Sequence, residues 1–402
     1  MVATSHDRTP TAQTVAVRTD FSATPTSWDA CVARVAAIAG AHADEVDARS
    51  RFPIEAVDAM RAEGLLGAWA PAALGGGGAS LEQITSACEL LAQQCASVGM
   101  VFAMHQIQIA SLVNHSGDSA YLQTRLREIA LGQRLIASGT SEIGVGGDLR
   151  TSKCAVRVSE GRAELHKQAP VISYGLEADE LLVTARRAED ASASDQVLVL
   201  LRREECALEQ TSTWQSLGFR GTCSHGFSLR TTFAAESILP VPFALIASET
   251  MVPISHLVWA SVWLGIATDA VRRARRFVRE DARRQSGSGG SARLADLVSR
   301  LHAMRGVVHD AVHEYSARMH DPDALGTMAY AIRINNLKLS ASESLVDIVQ
   351  HAMRVVGIAG YRLDTPVTLG RALRDAFGAV VMINNDRILA ANATLLLASR
   401  ED

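Results

Sequence analysis

The spacing of hydrophobic residues changes twice along this 402-residue chain, and this change constrains the fold more than any other feature. Apolar residues recur at helical spacing from Trp28 to about Gly132, alternate with polar residues from about Thr140 to Pro242, and return to helical spacing after Pro253. We therefore predict an α+β multidomain protein with an N-terminal all-α domain, a central β-barrel or sandwich and a C-terminal four-helix bundle. The predicted domains span residues 27–138, 139–245 and 246–402.

Individual elements can be predicted within these blocks. Residues 98–113 are almost wholly apolar, which indicates a helix buried on all sides, and this helix carries His105. Residues 258–284 have the pattern of a long amphipathic helix. Short strands between turns are predicted at 180–185, 197–201 and 227–233.

Composition narrows the functional classes. A net charge of -4 gives no reason to expect nucleic acid or an anionic membrane as a partner, and we find no apolar run long enough to span a bilayer. Residues 1–26 are polar and lack the apolar core of a signal peptide, so we predict a disordered tail. The six cysteines include no C-x-x-C pair, which favours a reduced, cytoplasmic protein.

A glycine-rich segment, 138–149, lies where the first helical block meets the β block. Its glycines allow a sharp turn and a close approach to a ligand, and hydroxyls precede them at Thr140 and Ser141. Domain junctions are common cofactor sites, although a plain interdomain turn is the simpler interpretation of this segment alone. With no strand predicted before it and no helix after it, the segment is not a dinucleotide fingerprint. The glycines are Gly144, Gly146 and Gly147.

Five sequence blocks, taken together and in order, resemble the acyl-CoA dehydrogenase superfamily of flavoproteins from about Trp28 onward. The third block reads Ser-Glu-Ile-Gly-Val-Gly-Gly-Asp, similar to the family's Thr-Glu-Pro-Gly-x-Gly-Ser-Asp, and the fourth reads Leu-Gly-Phe-Arg-Gly-Thr-Cys-Ser. The fifth pairs Gly-Ile-Ala-Gly-Tyr with a following Leu-Arg-Asp-Ala. The blocks lie at residues 52–66, 74–78, 141–148, 217–224, and 357–361 with 373–376.

The resemblance implies an oxidoreductase with FAD between the β domain and the C-terminal bundle. Hydroxyls and N–H groups beside the isoalloxazine ring would stabilise negative charge on the reduced flavin, which favours accepting a hydride. It further implies FAD contacts across a subunit interface, and hence a homotetramer or at least a homodimer. The residues implied at the ring are Ser138, Thr140, Ser141, Gly146, Gly147, Ile172 and Ser173. Those implied across the interface are Arg283, Arg284, Arg354 and Gly357.

Departures from the family pattern point to an atypical member. Plain dehydrogenation needs a carboxylate to take the α-proton, and the family's glutamate position falls at Ile383. The alternative family position, near Ser255 and His256, also lacks a carboxylate. A substrate-contacting serine of the family is replaced by Gly147, and a tryptophan beside the flavin by Val171. The substrate-binding residues implied by the resemblance are His105, Gly147, Ile383 and Asn384.

Three hypotheses remain open. In the first, reduced FAD is used with oxygen, as in an oxidase or monooxygenase, on an acyl group bound to CoA or a carrier protein. In the second, the chain is an acyl thioester dehydrogenase with His256 or Asp386 as a substituted base and an electron-transfer partner as acceptor. In the third, it is a catalytically silent subunit that binds flavin or acyl-CoA.

His105 has two interpretations of its own. It is either a core histidine hydrogen-bonded to a carbonyl, or a neutral imidazole with a catalytic role in orienting substrate. No residues are predicted to bind a metal.

Overall fold

The computed structural model describes residues 27–146, 148–284 and 291–398. The predicted tail at 1–26, Gly147 and the side chain of Arg284 lie outside the described part. Within it the chain forms an N-terminal helical region, two central β-sheets and a C-terminal helical region, which confirms the predicted order.

The described part of the N-terminal region contains five α-helices, and their sequences explain where they begin and how deeply they are buried. The third begins with a capping box, in which Ser80 and Gln83 bond reciprocally to each other's backbone N–H. The fourth is buried on nearly every face because it lies at the centre of this region. The helices are α1 (Trp28–Arg49), α2 (Ile54–Ala62), α3 (Leu81–Gln94), α4 (Ala96–His115) and α5 (Ala120–Leu131).

The central region consists of two sheets. A three-stranded sheet has the order β1-β4-β5, with β1 parallel to β4 and β4 antiparallel to β5. A four-stranded antiparallel sheet has the order β2-β3-β7-β6. The strands are β1 (Ile136–Gly139), β2 (Arg157–Ser159), β3 (Arg162–Ile172), β4 (Glu180–Arg186), β5 (Gln196–Arg202), β6 (Cys206–Ser212) and β7 (His225–Ala234).

One expectation about the glycine-rich segment was wrong: a strand, β1, runs directly into it. The four residues Ile-Ala-Ser-Gly are too short a run for alternation to show in the sequence, and their strand conformation depends on pairing with β4. No helix follows within the described part, so the segment is still not a dinucleotide fingerprint.

The C-terminal region is built around one long helix, α7, which packs against α3, α4, α8 and α10. A short helix and a π-helical turn at Ala247–Met251 lead into it. The helices are α6 (Phe243–Ile246), α7 (Val252–Arg284), α8 (Ala292–Arg318), α9 (Pro322–Leu325), α10 (Met328–Val356), α11 (Ile358–Tyr361), α12 (Gly370–Val381) and α13 (Asn385–Ala398).

Two helices correct the expectation that no apolar run could span a bilayer. By length and composition, α4 and the continuous helical segment Phe243–Arg283 are both apolar enough to do so. Their most apolar windows are 89% and 94% buried within the protein, as expected of core helices.

The fourth sequence block joins all three regions. The backbone N–H of Phe219 donates to the carboxylate of Asp375 at 2.6 Å, and Arg374 donates to the Leu217 carbonyl at 3.1 Å and pairs with Asp47 of α1. A Cβ on Gly218 would lie 2.4 Å from the Arg374 carbonyl oxygen, so only glycine permits this approach. We call residues 217–221 with 374–375 the interdomain clasp.

Candidate functional site

The glycine-rich segment is anchored by a buried carboxylate. Glu142 accepts hydrogen bonds from the hydroxyl of Ser152 at 2.6 Å and from the backbone N–H groups of Lys153 and Cys154 at 3.1 and 2.7 Å. The ammonium group of Lys167 lies 3.4 Å from it and also bonds to Thr184. Burial lowers the pKa of Lys167, which the charge of Glu142 opposes. This network fixes the start of the segment.

Hydroxyl groups line the segment next to the end of β3. Ser141 donates to the Val171 carbonyl at 2.6 Å, and the Ser173 hydroxyl lies 2.8 Å from that of Ser224. The hydroxyls of Ser138 and Thr140 are 3.4 Å apart. The segment and the strand end therefore form one hydroxyl-rich edge, as the resemblance implies, although Ser141 and Ser173 already have partners within the protein.

The chain reverses direction between α12 and α13, and Ile383 lies at this reversal. Its φ of +49° is a left-handed conformation, which is strained for a β-branched residue. Its side chain is 44% exposed. Asn384 closes the reversal, since its side chain accepts from the backbone N–H of Asp386 at 2.8 Å.

An arginine connects the reversal to the glycine-rich segment. Arg387, in the first turn of α13, donates to the carbonyl oxygen of Gly146. The segment 138–146, the strand end 171–173 and the reversal 382–387 thus meet where the β sheets face the C-terminal helices. We call the place where these three segments meet the junction cleft.

Both ring nitrogens of His105 are bonded to backbone groups. Its Nε2 donates to the Leu66 carbonyl at 2.7 Å, and its Nδ1 accepts from the backbone N–H of Ile136 at 3.0 Å. Burial lowers its pKa to about 4, so the ring is neutral at neutral pH. With both ring nitrogens bonded to backbone, His105 joins α4 to β1, which favours the interpretation of a core histidine over its predicted roles in catalysis and substrate binding.

The two proposed substitute bases differ in their surroundings. His256 is buried, its Nδ1 lies 3.1 Å from the Ile334 carbonyl, and burial lowers its pKa to about 4, which makes it a weak base. This environment argues against His256 as the base. Asp386 is exposed at the start of α13, three residues after Ile383. The structure places it at the edge of the reversal.

Three of the four residues expected to reach FAD across a subunit interface can be placed on or next to the C-terminal helices, and the side chain of Arg284 lies outside the described part. Arg283 is exposed and lines a groove of about 600 Å³ between α7 and α8. Arg354 is exposed in the last turn of α10, and Gly357 follows with a φ of +66°. The groove is strongly basic despite one acid, Glu280: its other charged or titratable lining residues are Arg272, Arg275, Arg276, Arg279, Arg283, His302 and Arg305.

The side chains at the junction cleft fit a flat ring with a polar edge. The hydroxyls described above offer donors, while Ile143 and Val171 are large apolar residues that are 54% and 38% exposed. An aromatic ring lying against these residues would cover apolar surface and meet hydroxyl groups at its rim. The residues present are therefore compatible with a bound flavin.

Sequence reasoning missed three residues of this region: Lys167, Lys338 and Arg387. Two were detectable, because Lys167 occupies an inward position in the alternation of β3, and Lys338 lies on the apolar face of α10. A charged residue at such a position is rarely buried without a partner. Arg387 gave no such signal, since its contact with Gly146 spans 241 residues.

Family models match both helical regions. The acyl-CoA dehydrogenase N-terminal domain matches residues 29–133, and the C-terminal domain matches residues 247–380. The short-chain specific acyl-CoA dehydrogenase of Clostridium acetobutylicum is 24% identical over 83% of this chain and 87% of its own length. An amino sugar nitrososynthase of Streptomyces peucetius is 25% identical over 82% of each chain.

Solved structures of the same fold include both dehydrogenases and oxygen-using enzymes. A dibenzothiophene monooxygenase of Paenibacillus sp. A11-2 superposes with a TM-score of 0.79 at 17% identity, covering 93% of this chain and 98% of the other. The butyryl-CoA dehydrogenase of Megasphaera elsdenii gives a TM-score of 0.74 at 20% identity, covering 94% and 100%. Together with the family models and the confirmed order of domains, these similarities show that the chain belongs to the acyl-CoA dehydrogenase family of flavin-dependent oxidoreductases.

Proposed function

We propose that this protein is a flavin-dependent oxidase or oxygenase that acts on an acyl thioester bound to CoA or a carrier protein. The observation that carries the proposal is the apolar side chain of Ile383, exposed at the junction cleft at the position where the family resemblance implies a glutamate. An isoleucine cannot take the α-proton that desaturation must remove. It does keep water away from the reacting groups.

The flavin, when bound, would supply hydride acceptance and, once reduced, reaction with oxygen. The protein's own residues would bind it and shield it. Ser138 and Thr140 would donate hydrogen bonds to its polar edge, and Ser141 and Ser173 would do so after their hydroxyls turn from the Val171 carbonyl and Ser224. Ile383 would form an apolar wall, while Arg387 holds the reversal against the segment that carries the hydroxyls.

The names of the relatives support an oxygen-using function alongside dehydrogenation. They include a nitrososynthase and a dibenzothiophene monooxygenase as well as acyl-CoA dehydrogenases. An acyl-carrier-protein dehydrogenase of Mycobacterium tuberculosis, 23% identical over 86% of this chain, supports a carrier-bound acyl group as the alternative to CoA. We place the protein in the cytoplasm, because its cysteines are all free.

We propose FAD as the flavin, with the basic groove on α7 and α8 as a site for phosphate groups. A structure of the Paenibacillus monooxygenase contains FMN, so FMN is the other possible outcome. Chromatography of the flavin released from the purified protein distinguishes the two, because only FAD carries an adenosine diphosphate portion. Release of FMN alone would contradict this part of the proposal.

The function is tested by comparing two reactions of the purified flavoprotein. We expect short-, medium- and long-chain acyl-CoAs to leave the flavin oxidised under anaerobic conditions if the protein is an oxygenase, whereas the substrate of an oxidase would reduce it. When an added nicotinamide and a flavin reductase supply two electrons to the flavin, we expect an oxygenase to consume oxygen in proportion to product. The Ile383→Glu variant should shift towards anaerobic reduction by an acyl-CoA, provided that the carboxyl ionises near neutral pH. Ile383→Gln is the matched control, since it is polar but cannot take the proton.

Rapid anaerobic desaturation by the wild-type protein, coupled to a dye, would overturn the proposal. It would favour a dehydrogenase with a substituted base, and Asp386 would then be the residue to replace first. Failure of every acyl-CoA, with the flavin bound and reoxidised by oxygen after chemical reduction, would exclude these CoA esters as substrates and leave a carrier-bound group to be tried.

We also propose that the protein is a homotetramer or homodimer. Three large apolar residues next to Gly357 are strongly exposed: Ile358, Tyr361 and Leu363, at 73%, 71% and 71%. A cluster of this kind on a single chain is typical of an interface. The family resemblance places an intersubunit contact at the same block.

A further inference from the structure

A lysine ammonium group lies directly beneath the reversal that carries Ile383. Lys338 of α10 is fully buried, and its Nζ donates to the Ile383 carbonyl at 2.7 Å and to Oδ1 of Asn385 at 2.5 Å. The indole ring of Trp263 lies 5.8 Å away, near enough for a cation–π contact. The direct hydrogen-bond partners of this Nζ among the described residues are neutral, and the nearest charge acting on it is that of Glu343 on the same helix.

The hydrogen bonds of Lys338 bracket the strained residue. One is to the carbonyl of Ile383, whose backbone is left-handed, and the other is to the side chain two residues later. Ser342, one turn along α10, bonds to the same Asn385 side chain at 3.2 Å. A strained backbone conformation persists only where the surrounding structure holds it in place. The hydrogen bond from Lys338 to the Ile383 carbonyl holds this one.

We propose that Lys338 is a positioning residue of the junction cleft: its ammonium group fixes residues 382–385 so that Ile383 faces the cleft and Arg387 reaches Gly146. The inference rests on the proposed function for its catalytic meaning, but the contacts do not depend on which reaction is performed. Lys338 acts through the reversal and is not assigned a contact with substrate or flavin.

The charge on Lys338 makes the reversal sensitive to alkaline pH. Burial lowers the pKa of Lys338 to about 8, and the charge of Glu343 on the same helix opposes this. The other titratable group facing it is His256 of α7, which is neutral above its pKa of about 4. Asp386 is exposed at the start of α13. Because the folded pKa lies below the ordinary 10.5, loss of the proton above pH 8 removes the cost of burying the charge, while the neutral amine can still donate to both oxygens. The closed reversal is therefore stabilised as the pH rises through this range.

The direct test is hydrogen exchange in Lys338→Met, which keeps an unbranched side chain one atom shorter and removes the donor. The amides of Asp386 and Arg387, which bond to Asn384, should exchange at least about tenfold faster, while those of α3 and α4 remain unchanged. Asn392→Leu is the matched control, because it also removes two hydrogen bonds between α10 and α13, from Asn335 at 2.8 Å and to Asn336 at 3.0 Å, and leaves Lys338 intact. Equal loss of protection along α10 and α13 in both variants would overturn the proposal.

A second measurement uses the unmodified chain, in case Lys338→Met does not fold. Raising the pH of the wild-type protein from 7 to 9.5 should raise the protection of the same amides, after correction for intrinsic exchange, because the closed reversal loses a buried charge while a hydrated lysine in an opened reversal keeps its proton to higher pH. Tryptophan emission should change with a midpoint near pH 8. Trp263→Phe should remove most of the emission change, which assigns it to the neighbour of Lys338. An unchanged protection and a flat emission profile would contradict the inference.

These experiments need no substrate, so they separate this inference from the proposed function. Faster exchange at the reversal together with absent oxygen consumption would support the positioning role and overturn the proposed reaction. Oxygen consumption by the wild-type protein, with unaltered exchange in Lys338→Met, would support the proposed reaction and overturn the positioning role.

Discussion

At the scale of single residues, the hydrogen-bond partners of a side chain indicate its role where the residue type alone allows several roles. The sequence allowed His105 to be either a core residue or a catalytic one, because a histidine on an apolar helix fits both. The structure satisfies both ring nitrogens with backbone groups from Leu66 and Ile136, 39 and 31 residues away in sequence. No local pattern could have identified partners at such distances.

The structural role of His105 predicts a stability effect. His105→Phe leaves a buried carbonyl and a buried N–H unpaired, so the free energy of unfolding at pH 7.5 should fall by about 3 kcal/mol. Because the folded pKa of about 4 is below the ordinary 6.5, the wild-type contribution is fully present above pH 6.5 and is lost as the pH falls towards 4. Denaturant unfolding at pH 7.5 and pH 5 should therefore show a smaller pH effect in the variant. Unchanged stability with reduced turnover would instead restore the catalytic interpretation.

At the scale of helices and strands, periodicity predicted the long elements well and the short ones poorly. The strands expected at 180–185 and 197–201 correspond to β4 and β5, and the apolar helix expected at 98–113 corresponds to α4. The short strand β1 and the reversal at Ile383 were not predicted, because both depend on partners from distant parts of the chain. The hydroxyls of the junction cleft were expected from the resemblance, whereas the lysines that support it were not.

The hydrogen bond between Phe219 and Asp375 in the interdomain clasp predicts a measurable contribution to the stability of the protein. Asp375→Ala removes the acceptor of the Phe219 N–H, so the free energy of unfolding should fall by about 2 kcal/mol. Asp375→Asn keeps an oxygen at the same place and should lose less than half as much. Urea unfolding of both variants at pH 7.5 checks this, and equal losses would mean that charge, rather than the hydrogen bond, holds the clasp.

At the scale of the whole molecule, the exposed apolar residues beside Gly357 predict the assembly state. Light scattering after size-exclusion chromatography should give the mass of a dimer or tetramer for the wild-type protein. Tyr361→Glu places a charge in the proposed interface and should shift the mass towards the monomer, whereas Val158→Glu, at a residue 57% exposed on β2, should not. A monomeric wild-type protein would contradict the proposed assembly.

The interdomain clasp also has a consequence for how the chain is made. Its hydrogen bonds join Phe219 to Asp375 and Asp47 to Arg374, across 156 and 327 residues of sequence. The ribosome must therefore synthesise nearly the entire polypeptide before Asp47 of α1 and Phe219 can form their hydrogen bonds with Arg374 and Asp375. Contacts of such long range are slow to form, and the surfaces awaiting them stay open to wrong associations in the meantime. Nascent chains truncated before α12 should consequently depend on chaperones far more than the finished protein does.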